Sequence, residues 1–221
     1  MIWGHASVIS GALSGLLILT ACGLGSRLHR AIGRGDVTRV SQLLAHGGNP
    51  NNYVFDYGKP LSWATSQCNH DIVDLLLGYG ASTTDYSAEL SIRWAVQQCD
   101  VSTVRLLLEG GVDSNASYHL GPTVLTLGVE RGDLDIITLL LDHEADPNRQ
   151  GKHGPRAPPR ESESYPLIIA AKRGRLDIVR LLVSRGADTA ARGSSGLTAL
   201  SVAIAGGHCE IENFLRDHGA I

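Results

Sequence analysis

The chain has 221 residues, 43% hydrophobic and 19% charged, with a formal net charge of −3. This composition belongs to an ordered chain and excludes a disordered one. So small a negative balance gives no electrostatic case for nucleic acid, and no nucleic-acid partner is expected.

The first 26 residues contain no Lys, Arg, Asp or Glu, and residues 8–21 are apolar apart from small residues. The stretch ends in Leu19-Thr20-Ala21-Cys22. That ending resembles the lipobox of bacterial lipoprotein precursors. The resemblance implies cleavage before Cys22, a diacylglycerol on its sulfur and an acyl chain on the new amine. Several chains anchor a protein stably where a single one is marginal. The competing reading is an uncleaved anchor, since about 20 apolar residues can span a bilayer. Gly4, Ser10, Gly11, Ser14 and Gly15 make a poor spanning helix. The opening MIWGH departs from the family in having no Lys or Arg.

On the lipoprotein reading, residues 1–21 are a signal peptide and 22–27 a short tether. Five extended residues reach about 17 Å, which would hold whatever follows close to a membrane. Gly23 follows the Cys where Asp would suggest inner-membrane retention. The expected location is therefore the bacterial periplasm, lipid-anchored at the outer membrane.

From residue 28 the chain repeats, and its most regular copy is Tyr165 to Thr189. A short apolar helix from Leu167 to Lys172 should stop at Gly174. A second, Leu176 to Ser184, should stop at Gly186, because glycine enters the left-handed conformation that ends a helix. Neither helix can bury its apolar face alone. Matching anchors are Leu28, Leu61, Ile92, Leu125, Leu167 and Leu200, at spacings of 33, 31, 33, 42 and 33. That period, with an apolar-x-x-Ala first helix, a Gly seven residues on, an Ile-Val-x-Leu-Leu second helix and a Gly-Ala-Asp close, resembles the ankyrin repeat. Pro60-Leu61, Pro166-Leu167 and Leu197-Thr198-Ala199-Leu200 stand where that family has Thr-Pro-Leu. The resemblance implies an all-α solenoid of six helix-turn-helix repeats over 28–221, joined by inter-repeat hairpins. It also implies a concave face, lined by hairpins and first helices, that binds proteins.

The second helices mark where the array should begin and end. The fourth and seventh positions after the inter-helix turn are Ile178 and Leu181 in the fifth repeat but Arg39 and Gln42 in the first. The fifth and ninth are Val179 and Val183 in the fifth repeat but Glu212 and Arg216 in the last. Polar outer faces of this kind are what capping repeats require. The 42-residue interval holds an insertion at about 149–164, RQGKHGPRAPPRESES. Its Gly, prolines and charges make it a surface loop. Arg156 and Arg160 belong to its basic part, so it is either a tolerated insertion or a partner-specific arm.

Tyrosines concentrate between repeats. Tyr53, Phe55 and Tyr57 form an aromatic finger, joined by Tyr86, Tyr118 and Tyr165. Tyr buries much area with few rotors and suits a binding surface, although a single hairpin aromatic can simply pack on its neighbour. Just before the inter-helix turns stand Arg34, Ser66-Gln67, Gln97-Gln98, Glu130-Arg131 and Lys172-Arg173. This polar strip, basic toward the C-terminal half, suits a protein partner with an acidic patch. Trp63 and Trp94 share a repeat position with Leu127, Ile169 and Val202, and read as stacked core. Arg30 fills that position in the first repeat.

Cys68 and Cys99 stand where the other repeats have Gly35, Gly132, Gly174 and Gly207. A Cys in a left-handed turn costs about 1 kcal/mol relative to Gly. A disulfide between the two, in an oxidising compartment, would offset that cost. Against it, stacked helices lie about 8–10 Å apart, while bridged Cα atoms must come within about 7 Å.

The sequence holds no HExxH, P-loop, GxSxG or paired-Cys zinc spacing, so no enzyme activity, cofactor or metal is expected. Two classes of function remain open for a chain expected to be monomeric when free. One is a lipid-anchored envelope protein that grips a protein partner, with an immunity protein against a periplasm-acting toxin, such as a type VI phospholipase effector, as its sharpest form. The other is a non-inhibitory scaffold or protector of an endogenous enzyme. A host-directed secreted effector is a third reading, if the N-terminus is not retained on lipid.

Overall fold

In a computed structural model, the residues described are 23–54, 58–117, 121–150, 165–193 and 195–220, and they form helices with no strand among them. The expected signal peptide, Cys22, Phe55, Tyr57, Tyr118, and Arg156 and Arg160 of the insertion lie outside the described residues. The helices are α1 (residues 23–33), α2 (Val37–Ala45), α3 (Pro60–Ser66), α4 (His70–Gly78), α5 (Tyr86–Gln98), α6 (Val101–Glu109), α7 (Val124–Arg131), α8 (Leu134–Asp142), α9 (Pro166–Lys172), α10 (Leu176–Ser184), α11 (Ala199–Ala205) and α12 (Cys209–Asp217). They divide into an N-terminal unit, residues 1–82, and a C-terminal unit, residues 83–221.

Local chemistry explains why each pair forms. The second helices α2, α4, α6 and α8 start at Asp36, Asn69, Asp100 and Asp133, whose side chains accept from the N–H groups of Arg39, Ile72, Thr103 and Ile136 at 2.9–3.2 Å. Such caps are worth about 0.5–2 kcal/mol each. Pro60 and Pro166 open α3 and α9, where a missing N–H costs nothing. Most first helices end in a left-handed residue. After α7, for example, Gly132 has φ +76°, and its own N–H and that of Asp133 return to Val129 and Gly128.

In the N-terminal unit, α2 and α3 both pack on α4. Leu28, Ile32, Leu61, Ile72 and Leu76 are fully buried there. Residues 23–27, expected as a tether, are helical instead. Gly25 is buried, and its carbonyl lies 3.1 Å from Nδ1 of the buried His29. His29 Nε2 lies 2.9 Å from the Gly58 carbonyl, which ties α1 to the start of α3.

In the C-terminal unit the first helices α5, α7, α9 and α11 pack in succession, and the second helices α6, α8, α10 and α12 do the same. Ile92, Leu107, Leu125, Ile136, Ile137, Leu140 and Leu167 fill the space between these two layers. An asparagine stitches neighbouring repeats on the hairpin side. Asn148 donates to the Gly186 carbonyl and accepts from the Asp188 N–H, at 2.9 and 2.7 Å. Asn115 does the same with Glu144 and Asp146, and in the N-terminal unit Asn51 does so with Gly80 and Ser82.

The polar positions expected at the two ends face solvent and bond to each other. Arg39 donates to Gln42 at 3.1 Å, and Arg216 pairs with Glu212 at 2.9 Å. Two expectations change. Trp63 and Trp94 are half-buried and not core, because an indole outgrows the space that Leu127, Ile169 and Val202 fill. The two cysteine turns also differ. Cys68 is left-handed, with φ +53°, but Cys99 is extended at φ −94°, ψ −179°.

Candidate functional site

The first-helix face of the N-terminal unit is built by α1 and α3. Arg27, Arg30 and Arg34 follow one another at i, i+3 and i+7, so they share one side of α1 and its C-terminal turn. All three are exposed. The chain has no Asp or Glu before Asp36, and among the described residues none of the three guanidinium groups has an ion-pair partner. Beside them lies an open groove of about 370 Å³ lined by Ser26, His29, Arg30, Gly33, Arg34, Val54 and Trp63. Gly33 matters to its shape. A Cβ there would stand 3.4 Å from Trp63 Nε1, at the near edge of ordinary contact, so the indole lies directly against α1 at this point. Gln67, at the end of α3, is exposed at the same end of the face, and Tyr53 is 63% exposed.

The opposite side of this unit has another character. Helices α2 and α4 bound a shallow hollow that includes Asp71 and Asp74, with Val37, Thr38, Ser41, Gln42 and Leu75. Asp71 lies 3.1 Å from the His70 ring. The unit is thus basic and aromatic on the first-helix side and acidic on the second-helix side.

In the C-terminal unit, Gln97 and Gln98 are exposed at the end of α5, and Lys172 and Arg173 at the end of α9. Glu130 and Arg131, with Val129, Gly132, Arg173 and Arg175, line a cleft of about 300 Å³. Its arginines are not equivalent. Arg131 Nη1 donates to the Val96 carbonyl at 3.0 Å and the Cys99 carbonyl at 2.7 Å, and its Nη2 lies 3.4 Å from Asp133. The extended Cys99 forgoes the left-handed turn whose backbone would serve the Val96 carbonyl, as the Gly132 N–H serves Val129, and the guanidinium supplies that donor. Arg175 is clasped by Asp177 at 3.1 and 2.9 Å. That hydrogen-bonded pair holds the Asp177 carboxyl below its ordinary range and raises the Arg175 guanidinium further. Arg173 keeps its charge unpaired among the described residues. Tyr86 opens α5 at 48% exposure, whereas Tyr165, which precedes α9, is half-buried.

Cys68 belongs to the N-terminal unit and Cys99 to the C-terminal one, and neither is a free thiol. The free one among the described residues is Cys209, which is exposed. Among the described residues no three His, Cys, Asp or Glu side chains come together to hold a metal, and no helix is long and apolar enough to cross a membrane.

Arg27, Arg30 and Trp63 are the residues that the repeat pattern concealed. The signal for the arginines is the acid-free run through residue 35 with basic residues at helical spacing.

Residues 151–221 match a family model for ankyrin repeats in three copies, and residues 121–152 match the single ankyrin repeat. No curated protein matches the chain in sequence. Among solved structures, it is similar to the ankyrin repeat domain of Bcl-3, described as a unique member of the IkappaB protein family. The identity is 26% over 88% of this chain and 86% of that one, with a TM-score of 0.72. It is also similar to an ankyrin repeat domain (ABAYE2397) from Acinetobacter baumannii AYE, at 23% identity over 88% and 98% of the two chains, with a TM-score of 0.77. The chain has the ankyrin-repeat fold, an architecture for protein–protein interaction, and residues 121–221 are recognised as ankyrin repeats.

Proposed function

We propose that this is a lipid-anchored envelope protein that holds a protein partner through the first-helix faces of its units, and that holding the partner neutralises a toxin acting in the periplasm. The observation that carries the binding part is the set of exposed polar side chains displayed just before the inter-helix turns, Arg34 and Gln67 in one unit and Gln97, Gln98, Lys172 and Arg173 in the other. They are presented from the ends of helices whose opposite sides are locked in the core, so the backbone that carries them is already ordered for binding. The anchoring part rests on Leu19-Thr20-Ala21-Cys22. A tethered inhibitor stands where an enzyme that attacks lipids must work, and a phospholipase effector is the toxin class that fits this logic.

The test has two readouts on one pair of strains. Cells carrying the chain, or its Cys22→Ala variant, are labelled with a palmitate analogue and challenged with a phospholipase effector directed to the periplasm. The proposal expects label on the native chain alone, and survival with the native chain. Label without any protection overturns the inhibitor reading, and absence of label overturns the anchor.

A further inference from the structure

We propose that the groove between α1 and α3 is a site for an acidic segment of the partner protein, with Arg30 and Arg34 taking its carboxylates and Trp63 taking the apolar part of the same segment. This deepens the proposed function and rests on its protein-binding part. It names the chemistry of what is bound and places the contact in the N-terminal unit.

Charge is the first argument. Like charges at i, i+3 and i, i+4 oppose a helix, yet Arg27, Arg30 and Arg34 occupy those spacings in a run with no acid before Asp36. A helix C-terminus favours a cation, which accounts for Arg34. It extends over the last turn to Arg30, but it does not account for Arg27, which lies further back along α1. Among the described residues no carboxylate pairs with any of them. A guanidinium offers a planar fork of donors that fits a carboxylate with two parallel bonds. Three such forks on one side of a helix, without internal partners, are complementary to an acidic chain.

Shape is the second argument, and it chooses a protein segment over a membrane surface. Arg30 and Arg34 border a recess of about 370 Å³ with Trp63 and Val54 in its wall. The indole is set back against Gly33, with a Cβ position there only 3.4 Å from its Nε1. A planar layer of anionic headgroups can reach the arginine tips but cannot enter the recess. A side chain can. Aromatic and arginine side chains together in a partly desolvated pocket are the composition of a binding hot spot. The acidic hollow on the α2 and α4 side would repel the same segment, so the unit presents it with one face only.

The test uses the full chain in detergent and a fluorescein-labelled peptide of alternating Glu and Leu, read by anisotropy. The comparison probes are the same peptide with Gln for Glu, inorganic phosphate as competitor, and vesicles of phosphatidylglycerol. The proposal expects the Glu peptide to bind at least tenfold more tightly than the Gln peptide. It also expects Arg30→Ala/Arg34→Ala to weaken binding at least tenfold, and Trp63→Phe to abolish the change in tryptophan emission on binding. Because Arg30 and Arg34 are exposed, the double variant should melt with the native chain, and its thermal curve is the control for folding. Equal binding of the two peptides, undiminished binding by the double variant, or retention by the vesicles alone would each overturn it. If the double variant still protects cells as well as the native chain, this site is wrong while the proposed function stands. If the peptide binds through Arg30 and Arg34 but no strain is protected, the site stands and the inhibitor reading falls.

Discussion

Arg34, Arg131 and Arg173 occupy one and the same repeat position, the residue before the glycine of the inter-helix turn, and the molecule uses them differently. Arg131 is built into the C-terminal unit, with two hydrogen bonds to the end of α5. All three are exposed, but Arg34 and Arg173 carry no internal ion pair among the described residues. For the two in the C-terminal unit, the cause lies in the preceding helix of the stack, not in the arginine. The helix before Arg173 ends at the left-handed Gly132, whose backbone already serves the carbonyls of Gly128 and Val129. The helix before Arg131 ends at the extended Cys99, whose N–H serves Ala95 alone and leaves the Val96 carbonyl to a side chain. A repeat position fixes where a side chain starts. The neighbouring turn decides whether that side chain is available to a partner.

Substitution can break this distinction. The largest stability effect is expected for Arg131→Ala, which strips two helix-end carbonyls of their donor and should cost about 1–3 kcal/mol in urea melts. Arg131→Lys should recover only part of it, since a point charge cannot fork to two oxygens. Arg34→Ala and Arg173→Ala should stay within about 0.5 kcal/mol of the native chain. Equal losses at all three positions would erase the difference. A smaller effect belongs to the Arg175–Asp177 clasp. Asp177 titrates below its unfolded value, so its contribution is full above that value and is lost as pH falls through the folded one. Both side chains are substantially exposed, so the contribution lies in the ~0.2–1 kcal/mol range of surface pairs. Asp177→Asn should therefore lower stability slightly at neutral pH and not at all once the carboxyl is protonated. A loss that persists in acid would show that the pair acts through packing.

Much of the fold was legible from residue types alone. The bounds of α10 follow from Leu176 to Ser184, and the polar ends follow from Arg39 with Gln42 and Glu212 with Arg216. All are consequences of local periodicity, which a sequence displays directly. The site was less legible, for two physical reasons. Trp63 occupies a position that is core in other repeats, and only its size, with a glycine opposite at Gly33, moves it into a groove wall. Arg131 looks like its equivalents until the backbone of Cys99 is known, and a single non-glycine turn has no periodicity to betray it. The helical state of residues 23–27 was hidden in the same way, since two glycines in five residues argue against a helix and the packing of Gly25 against the Asn52 side chain overrides that preference.

Site-specific photo-crosslinking in the N-terminal unit tests the central claim most directly. A photoreactive residue is placed at Gln67, on the first-helix side, or at Asp74, on the second-helix side, and the chain is irradiated in envelope extract. The account predicts an adduct with an acidic protein from position 67, absent from position 74 and lost when Arg30→Ala/Arg34→Ala is added. An adduct from position 74 alone, or one from position 67 that survives the arginine substitutions, would contradict it.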